Sequence, residues 1–205
     1  MPGSINSLIL PRNFFRREVQ TVARELLGKR LVRQIGNLQA AGYIIEAEAY
    51  DGEQDQACHA RVGKTRRNAM MYGEAGRAYV YFTYGMHWML NCVSADDGYP
   101  AAVLIRAIHP VEGLDIMSKN RAGVSESQLS NGPAKLTKAL EITGDLNGID
   151  LCDPGSPLRI EEGIEIPDKN IQISARVGIQ STPEPWLSIP WRFFTKIPEN
   201  LKEQV

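Results

Sequence analysis

Leu38-Gln39-Ala40-Ala41-Gly42-Tyr43-Ile44-Ile45-Glu46-Ala47-Glu48-Ala49-Tyr50 is an apolar run that reads as one long β-strand, and its reading decides the fold. Alternate strand residues share a face, so Ile44, Glu46, Glu48 and Tyr50 are expected on one side and Tyr43, Ile45, Ala47 and Ala49 on the other. The second side reads as core. The first sets two carboxylates beside a large aromatic ring. A buried carboxylate must be paired or have its pKa raised, so packing alone does not account for this face. A half-exposed strand with a solvated acidic edge is the competing reading of the same residues.

Upstream, Leu31 to Gln34 forms a partner strand across an Ile35-Gly36-Asn37 turn. Arg17 to Leu27 carries an apolar stripe of Val19, Val22, Ala23, Leu26 and Leu27 and stops at Gly28, the pattern of an amphipathic helix. Downstream, Asp51 to Arg77 is polar, glycine-containing and basic, and is expected to be a long ordered loop with short helical pieces. Ala78 to Tyr84 and Met86 to Ser94 read as strands pivoting at Gly85, and Ala101 to Ala107 as a buried strand. Val111 to Lys119 and Pro133 to Leu140 read as helices, with Pro133 suited to the first helical position. Ile171 to Gly178 and Trp191 to Thr195 complete the strands. Strands that come in hairpins predict an α+β fold: a curved, mostly antiparallel or mixed sheet with surrounding helices and a protruding β-hairpin. Residues 1–205 are expected to form a single domain, with residues 1–13 as an N-terminal arm and 196–205 as a tail, both peripheral.

With 205 residues, 43 % of them hydrophobic, the chain can bury one substantial core. Its formal net charge of -1 gives no global sign of a polyanionic partner. The charge is uneven, however. Arg61, Lys64, Arg66, Arg67 and Arg77 face only Glu74, whereas Glu141 to Asn170 is rich in Asp and Glu, so a basic face and an acidic back are expected. Cys58, Cys92 and Cys152 contain no C-x-x-C pair and suit free thiols in a reducing compartment. His59, His87 and His109 lack metal-site spacing, so neither a metal nor a cofactor is expected. Leu8 to Leu10 is cut short by Pro11 and Arg12, and no later run approaches membrane-spanning length. The expectation is a soluble intracellular protein with no membrane contact, cytoplasmic or nucleoid-associated, or nuclear in a eukaryote.

Tyr79-Val80-Tyr81-Phe82-Thr83-Tyr84-Gly85-Met86-His87-Trp88 concentrates aromatic rings in one hairpin. Alternation assigns Val80 and Phe82 to the core and Tyr79 and Tyr81 to the opposite face. Tyr84 stands beside Gly85, where the backbone bends. A protruding aromatic near a basic loop is the geometry needed to wedge into a base stack. Aromatics across a cleft make a slot for a flat ring, more so for a cationic one.

Glu46-Ala47-Glu48-Ala49-Tyr50, Cys58-His59, Arg67-Asn68, Tyr79-Val80-Tyr81, Tyr84-Gly85-Met86 and Asn91 occur in order, followed by Leu104 to Ala107 and Pro110 to Leu114. Gly132 to Leu136, Arg176-Val177-Gly178 and Trp191-Arg192-Phe193 complete the set. From about Phe14 to Phe194 the chain resembles the alkyladenine (3-methyladenine) DNA glycosylase family. The resemblance implies a monofunctional DNA glycosylase that initiates base excision repair. It implies that Glu48 activates a water to attack the deoxyribose of a nucleotide flipped out of the duplex. Tyr50, His59 and Tyr81 then line the base pocket, and Tyr84 enters the gap left in the helix. Asn91 crowds the exocyclic amino group of normal guanine, and Arg106 shapes the pocket or contacts phosphate. Arg67 belongs to the DNA-contacting basic loop, and Lys135, near a helix N-terminus, is suited to phosphate. Where some relatives carry an aromatic after Gly85-Met86, this chain has His87. The partner implied is damaged double-stranded DNA, with no obligate protein partner and a monomeric enzyme.

Glu46 lies two residues from Glu48, which separates the α-carbons by roughly 6.5–7 Å. That suits the second carboxylate of an inverting glycosidase, while pairing with an arginine is the competing role. Two other readings stand beside the leading one. One is a hydrolase of free nucleosides or other glycosides using Glu46 and Glu48; the other is a catalytically silent nucleic-acid-binding module. A free-nucleoside enzyme has no use for Tyr84, and a silent module none for Glu48.

Overall fold

Tight turns and alternating apolar strands build the molecule around one sheet; the computed structural model describes residues 9–196. Two short helices, α1 (Arg12–Phe15) and α2 (Val19–Glu25), lead into the hairpin of β1 (Arg30–Ile35) and β2 (Leu38–Asp51). After a long loop come β3 (Ala78–Thr83), β4 (His87–Ser94) and β5 (Ala101–Glu112). Helices α3 (Leu114–Asn120) and α4 (Pro133–Ala139) follow, then β6 (Leu158–Glu161), β7 (Gln172–Ser174) and β8 (Arg192–Phe194). The sheet order is β3-β4-β5-β2-β1-β6, with β8 on β2 and β7 on β8. The named pairings are antiparallel, so the α+β expectation holds with the mixed option removed.

β2 is the organising strand. One edge pairs with β5 along its length, while the other pairs first with β1, from Leu38 to Tyr43, and then with β8, from Glu46 to Glu48. Between those partners the β2–β5 register steps twice, leaving Ile45 extra on β2 and Arg106 extra on β5. A one-residue bulge exchanges inward and outward positions. The strict alternation expected across Tyr43–Tyr50 therefore fails. Ile44 lies in the core with Ala47 and Ala49, and Tyr43 and Ile45 only flank it.

The core fills the space between the sheet and the helices, with α2 packed on β2 and α4 on β4 and β5. Several boundaries differ from the sequence reading. The first amphipathic helix is confined to Val19–Glu25, and β5 continues to Glu112, so the following helix starts at Leu114 rather than Val111. Of the expected strand Ile171–Gly178, only Gln172–Ser174 pairs. The described part of the N-terminal arm is integral rather than peripheral: Leu10 is buried, and Arg12 bridges Glu74 and Asp150. Residues 1–8 and 197–205 lie outside the described part. Half of the acidic segment's carboxylates are ion-paired, through Arg12–Asp150, Arg30–Glu161, Arg159–Glu161, Lys29–Glu162 and Arg24–Asp168. Arg77 likewise pairs with Glu74, which removes it from the basic loop. Among the described residues no helix is long and apolar enough to cross a membrane.

Gly28 ends the turn after α2 with φ +84, and a Cβ there would lie 2.2 Å from the Ile164 carbonyl oxygen. Gly36, in the β1–β2 turn, also has positive φ but faces open space. Gly28→Ala is therefore expected to lower unfolding free energy by about 2 kcal/mol or more, combining left-handed strain with overpacking. Gly36→Ala should lose only about 1 kcal/mol, the strain alone. Urea denaturation of both variants checks this; equal midpoints would contradict the close-approach account.

Candidate active site

A cleft of about 500 Å³ opens between the β3–β4 hairpin, β5, the loop after β2 and the connection between β7 and β8. That volume lies within the usual range for small-ligand sites. Hairpin register supplies one wall: Tyr79 pairs with Asn91 and Tyr81 with Met89, and all four line the cleft. The Asn91 side-chain amide donates to the Tyr79 carbonyl at 3.0 Å, which commits one of its N–H groups and fixes its orientation. The other hairpin face carries Phe82 opposite Trp88, with ring centroids 4.8 Å apart. Phe82 was expected in the core, yet it is 44 % exposed, because the hairpin outruns the helices that would have covered it.

The hairpin tip is a turn closed by the Met86 N–H to the Thr83 carbonyl at 3.1 Å. Tyr84 holds φ 51, a left-handed conformation uncommon outside glycine, and is 80 % exposed. Met86 is 67 % exposed beside it. Tyr84 also reaches the rim of the cleft.

The loop after β2 supplies His59, at the start of a 3-10 turn over His59–Val62. His59 Nδ1 lies 2.9 Å from the Tyr79 hydroxyl, and its ring packs edge-on against Tyr81 at 4.5 Å. Burial, helped by Arg67 and Arg61, lowers its pKa to about 4, so the imidazole is neutral at physiological pH. Buried Asn68 staples this loop, donating to the His59 and Gly63 carbonyls at 2.9 Å and accepting from the Thr65 N–H at 2.6 Å. Arg67 ties the loop to the hairpin, with its guanidinium over the Tyr81 ring at 5.5 Å and a bond to the Phe82 carbonyl at 3.2 Å. Lys135 is half-buried on α4 and donates to Asn131 at 2.8 Å, while nearby Pro133 lines the cleft.

Glu48 lies directly beneath the floor. Its carboxylate is 0 % exposed and does not itself line the cleft; Tyr50, Arg106 and Val177, which do, close over it. The Tyr50 hydroxyl donates to Glu48 Oε2 at 3.0 Å and the Arg106 guanidinium to the same oxygen at 3.2 Å. The Val177 backbone N–H donates to Oε1 at 2.7 Å. Burial pushes the Glu48 pKa up, opposed by Arg106, the Val177 N–H and Tyr50, and the net direction is upward. Three of roughly four acceptor positions of a carboxylate are thus filled. Burial beside Glu48 also raises the Tyr50 pKa well above its ordinary value, which keeps the phenol a donor.

Glu46 takes the pairing role. Its Oε1 accepts from Arg106 Nε and Arg192 Nε, both at 2.7 Å, so Arg106 bridges the two carboxylates. Tyr50, His59, Tyr81, Asn91 and Arg106 are thereby gathered at one cleft with Glu48 behind it and Tyr84 at its edge, while Arg67 does not line it but lies against the Tyr81 ring. Sequence reasoning assigned no role to Asp55, Arg176 or Val177, all of which touch this constellation. Only the Arg176-Val177-Gly178 fragment pointed toward them, because their partners are distant in the chain.

A family model described as methylpurine-DNA glycosylase matches residues 13–198. Among similar curated proteins, one from Methanocella arvoryzae is 48 % identical over 92 % of this chain and 92 % of its own length. Another from Carboxydothermus hydrogenoformans is 46 % identical over 92 % of this chain and 96 % of its own. A third, from Chlorobium phaeobacteroides, is 43 % identical over 90 % and 91 %. Each carries the provisional name 3-methyladenine DNA glycosylase.

The lowered pKa of His59 gives a direct check. Its ring NMR shifts are expected to stay flat above about pH 5.5, whereas a midpoint near the ordinary ~6.5 would contradict the buried neutral imidazole.

Proposed function

The chain belongs to the methylpurine-DNA glycosylase family, and on that basis we propose that its cleft receives an alkylated or deaminated purine flipped out of duplex DNA and hydrolyses the N-glycosidic bond with a Glu48-activated water. It is a DNA N-glycosylase, a hydrolase of DNA repair. The observation that carries the finer reading is the carboxylate of Glu48, held by three donors immediately behind an aromatic cleft of purine size.

A base inside the duplex is shielded, so it must leave the stack, and a damaged or mispaired base costs less to extrude. Tyr84, an exposed aromatic ring at the hairpin tip, suits the vacated space, while Tyr50, Tyr81 and His59 offer ring surfaces to the base. N3- or N7-alkylated purines carry positive charge and are already good leaving groups; a neutral hypoxanthine leaves only with an added proton. As the C1′–N bond breaks, positive charge develops on the sugar, and ionised Glu48 stabilises it. The water oxygen bonds to C1′, its proton passes to Glu48, and the products are an abasic site and the free base. A water reaches the remaining acceptor position of Glu48 only when the Tyr50, Arg106 and Val177 groups that close over the carboxylate part to admit it. No lysine lies between Glu46 and Tyr50, so no Schiff-base strand cleavage is expected.

The free-nucleoside alternative asks Glu46 to serve as a second catalytic carboxylate. Its double arginine pairing argues against that, and an exposed Tyr84 has no purpose in such an enzyme. All groups the reaction uses come from one chain, so a monomer suffices.

Glu48→Gln is expected to slow base release from duplexes carrying one defined lesion by ~10²–10⁴-fold while binding stays within a few-fold. Turnover at the wild-type rate would remove Glu48 from the mechanism. Tyr84→Ala should depress excision from duplex far more than from single-stranded DNA, where no gap needs filling. Equal losses on the two substrates would argue against the wedge.

A further inference from the structure

Asp55 lies in the loop after β2, and Arg176 in the connection between β7 and β8; both side chains are wholly buried. The guanidinium grips the carboxylate with both arms, at 2.5 Å to Oδ2 and 2.8 Å to Oδ1. Asp55 also accepts from the Asp51 and Ala57 backbone N–H groups, at 3.2 and 3.0 Å. Arg176 in turn donates to the Ala49 carbonyl at 2.9 Å and the Trp186 carbonyl at 3.2 Å. This pair therefore fastens the connection that forms one lip of the cleft to the sheet that forms its floor.

Its reach extends to Glu48 by two routes. The guanidinium lies over the Tyr50 ring, 4.7 Å from its centroid, and the Tyr50 hydroxyl donates to Glu48 Oε2. Val177 follows Arg176 directly, and its N–H donates to Glu48 Oε1. Two of the three donors on the carboxylate are thus set by one guanidinium, and Glu46 sets the third by holding Arg106. A buried ion pair contributes little net stability compared with apolar packing of the same volume. What it fixes is geometry, because a forked guanidinium has few ways to satisfy a planar carboxylate.

We propose that Asp55 and Arg176 are positioning residues for Glu48, aligning the Tyr50 hydroxyl and the Val177 N–H on its carboxylate so that it stays ionised and aimed at the attacking water. This rests on the glycosylase reading above. The charged and titratable groups facing Glu48 are Glu46 and Tyr50 on β2, Arg106 on β5, Arg192 opposite it on β8, Tyr81 on β3 and Arg176 on the connection. Donors to a carboxylate favour its charged form, so loosening two of them raises its pKa. The base must be ionised to work. The acid limb of the rate profile should then move to higher pH, with activity recovering above it.

The test is single-turnover release of 7-methylguanine from duplex DNA across pH, using the full chain. That base is already cationic and leaves without a proton, so the profile reports the general base. Wild type, Glu48→Gln, Asp55→Asn and the double variant Asp55→Asn/Arg176→Met are compared; the double variant leaves no unpaired buried charge. In both Asp55 variants the acid limb is expected to rise by about one pH unit, the value of one lost hydrogen bond to a charged group. An unmoved limb, even with lower amplitude or melting temperature, would show a merely structural pair and overturn the proposal. Unfolding of both variants would overturn it too. An inert wild type, or a fully active Glu48→Gln, would instead defeat the underlying glycosylase reading.

Discussion

The burial of one carboxylate constrains everything around it. Glu48 is removed from solvent on the central strand of the sheet, and an ionised carboxylate there is unstable unless donors replace its lost water. They come from three places: Tyr50 on β2 itself, Arg106 on β5 and the Val177 N–H from the connection into β8. Each is secured by something further out, whether Glu46 for Arg106 or Asp55 through Arg176 for the other two. The sheet order, with β5 on one edge of β2 and β8 on the other, is what makes these donors converge.

Irregularity in the sheet serves the same end. The paired bulges leave Arg106 extra on β5, beside the stretch of β2 that bears both glutamates, so its guanidinium reaches Glu46 and Glu48 together. The hairpin of β3 and β4 is irregular in another sense. Its inner half is core, and its outer half exposes Phe82, Tyr84 and Met86. Contiguous exposed apolar side chains are uncommon on a soluble surface and mark a contact site. Beside an open cleft, they suit the DNA contact proposed above.

Charge is arranged on the same plan. The net charge of -1 conceals an uneven distribution of paired and unpaired groups. Glu46, Glu48 and Asp55 are all engaged by arginines, and four of the eight acids between Glu141 and Asn170 are ion-paired. Among the described residues, Arg61, Lys64, Arg66 and Arg67 have no carboxylate partner. The loop beside the cleft therefore offers phosphate a more positive surface than the total charge suggests.

By itself the sequence determined the strand pairs around Gly36 and Gly85, the helix opening at Pro133, the hairpin register that turns Tyr79 and Tyr81 to one side, and the carboxylates beside Tyr50. These are local properties, carried by periodicity and by the special φ of a few residues. It also made Glu48 conspicuous, because a carboxylate within an apolar strand demands a reason. Tertiary structure alone decided that Ile44 turns inward, that Phe82 is left bare, that Glu46 is consumed by Arg106 and Arg192, and that Asp55 meets Arg176 across 121 residues. A bulge arises from the mismatch between two neighbouring strands, and a buried charge finds its partner only when distant segments close around it. Neither property belongs to any one stretch of chain, so neither is written in a local pattern.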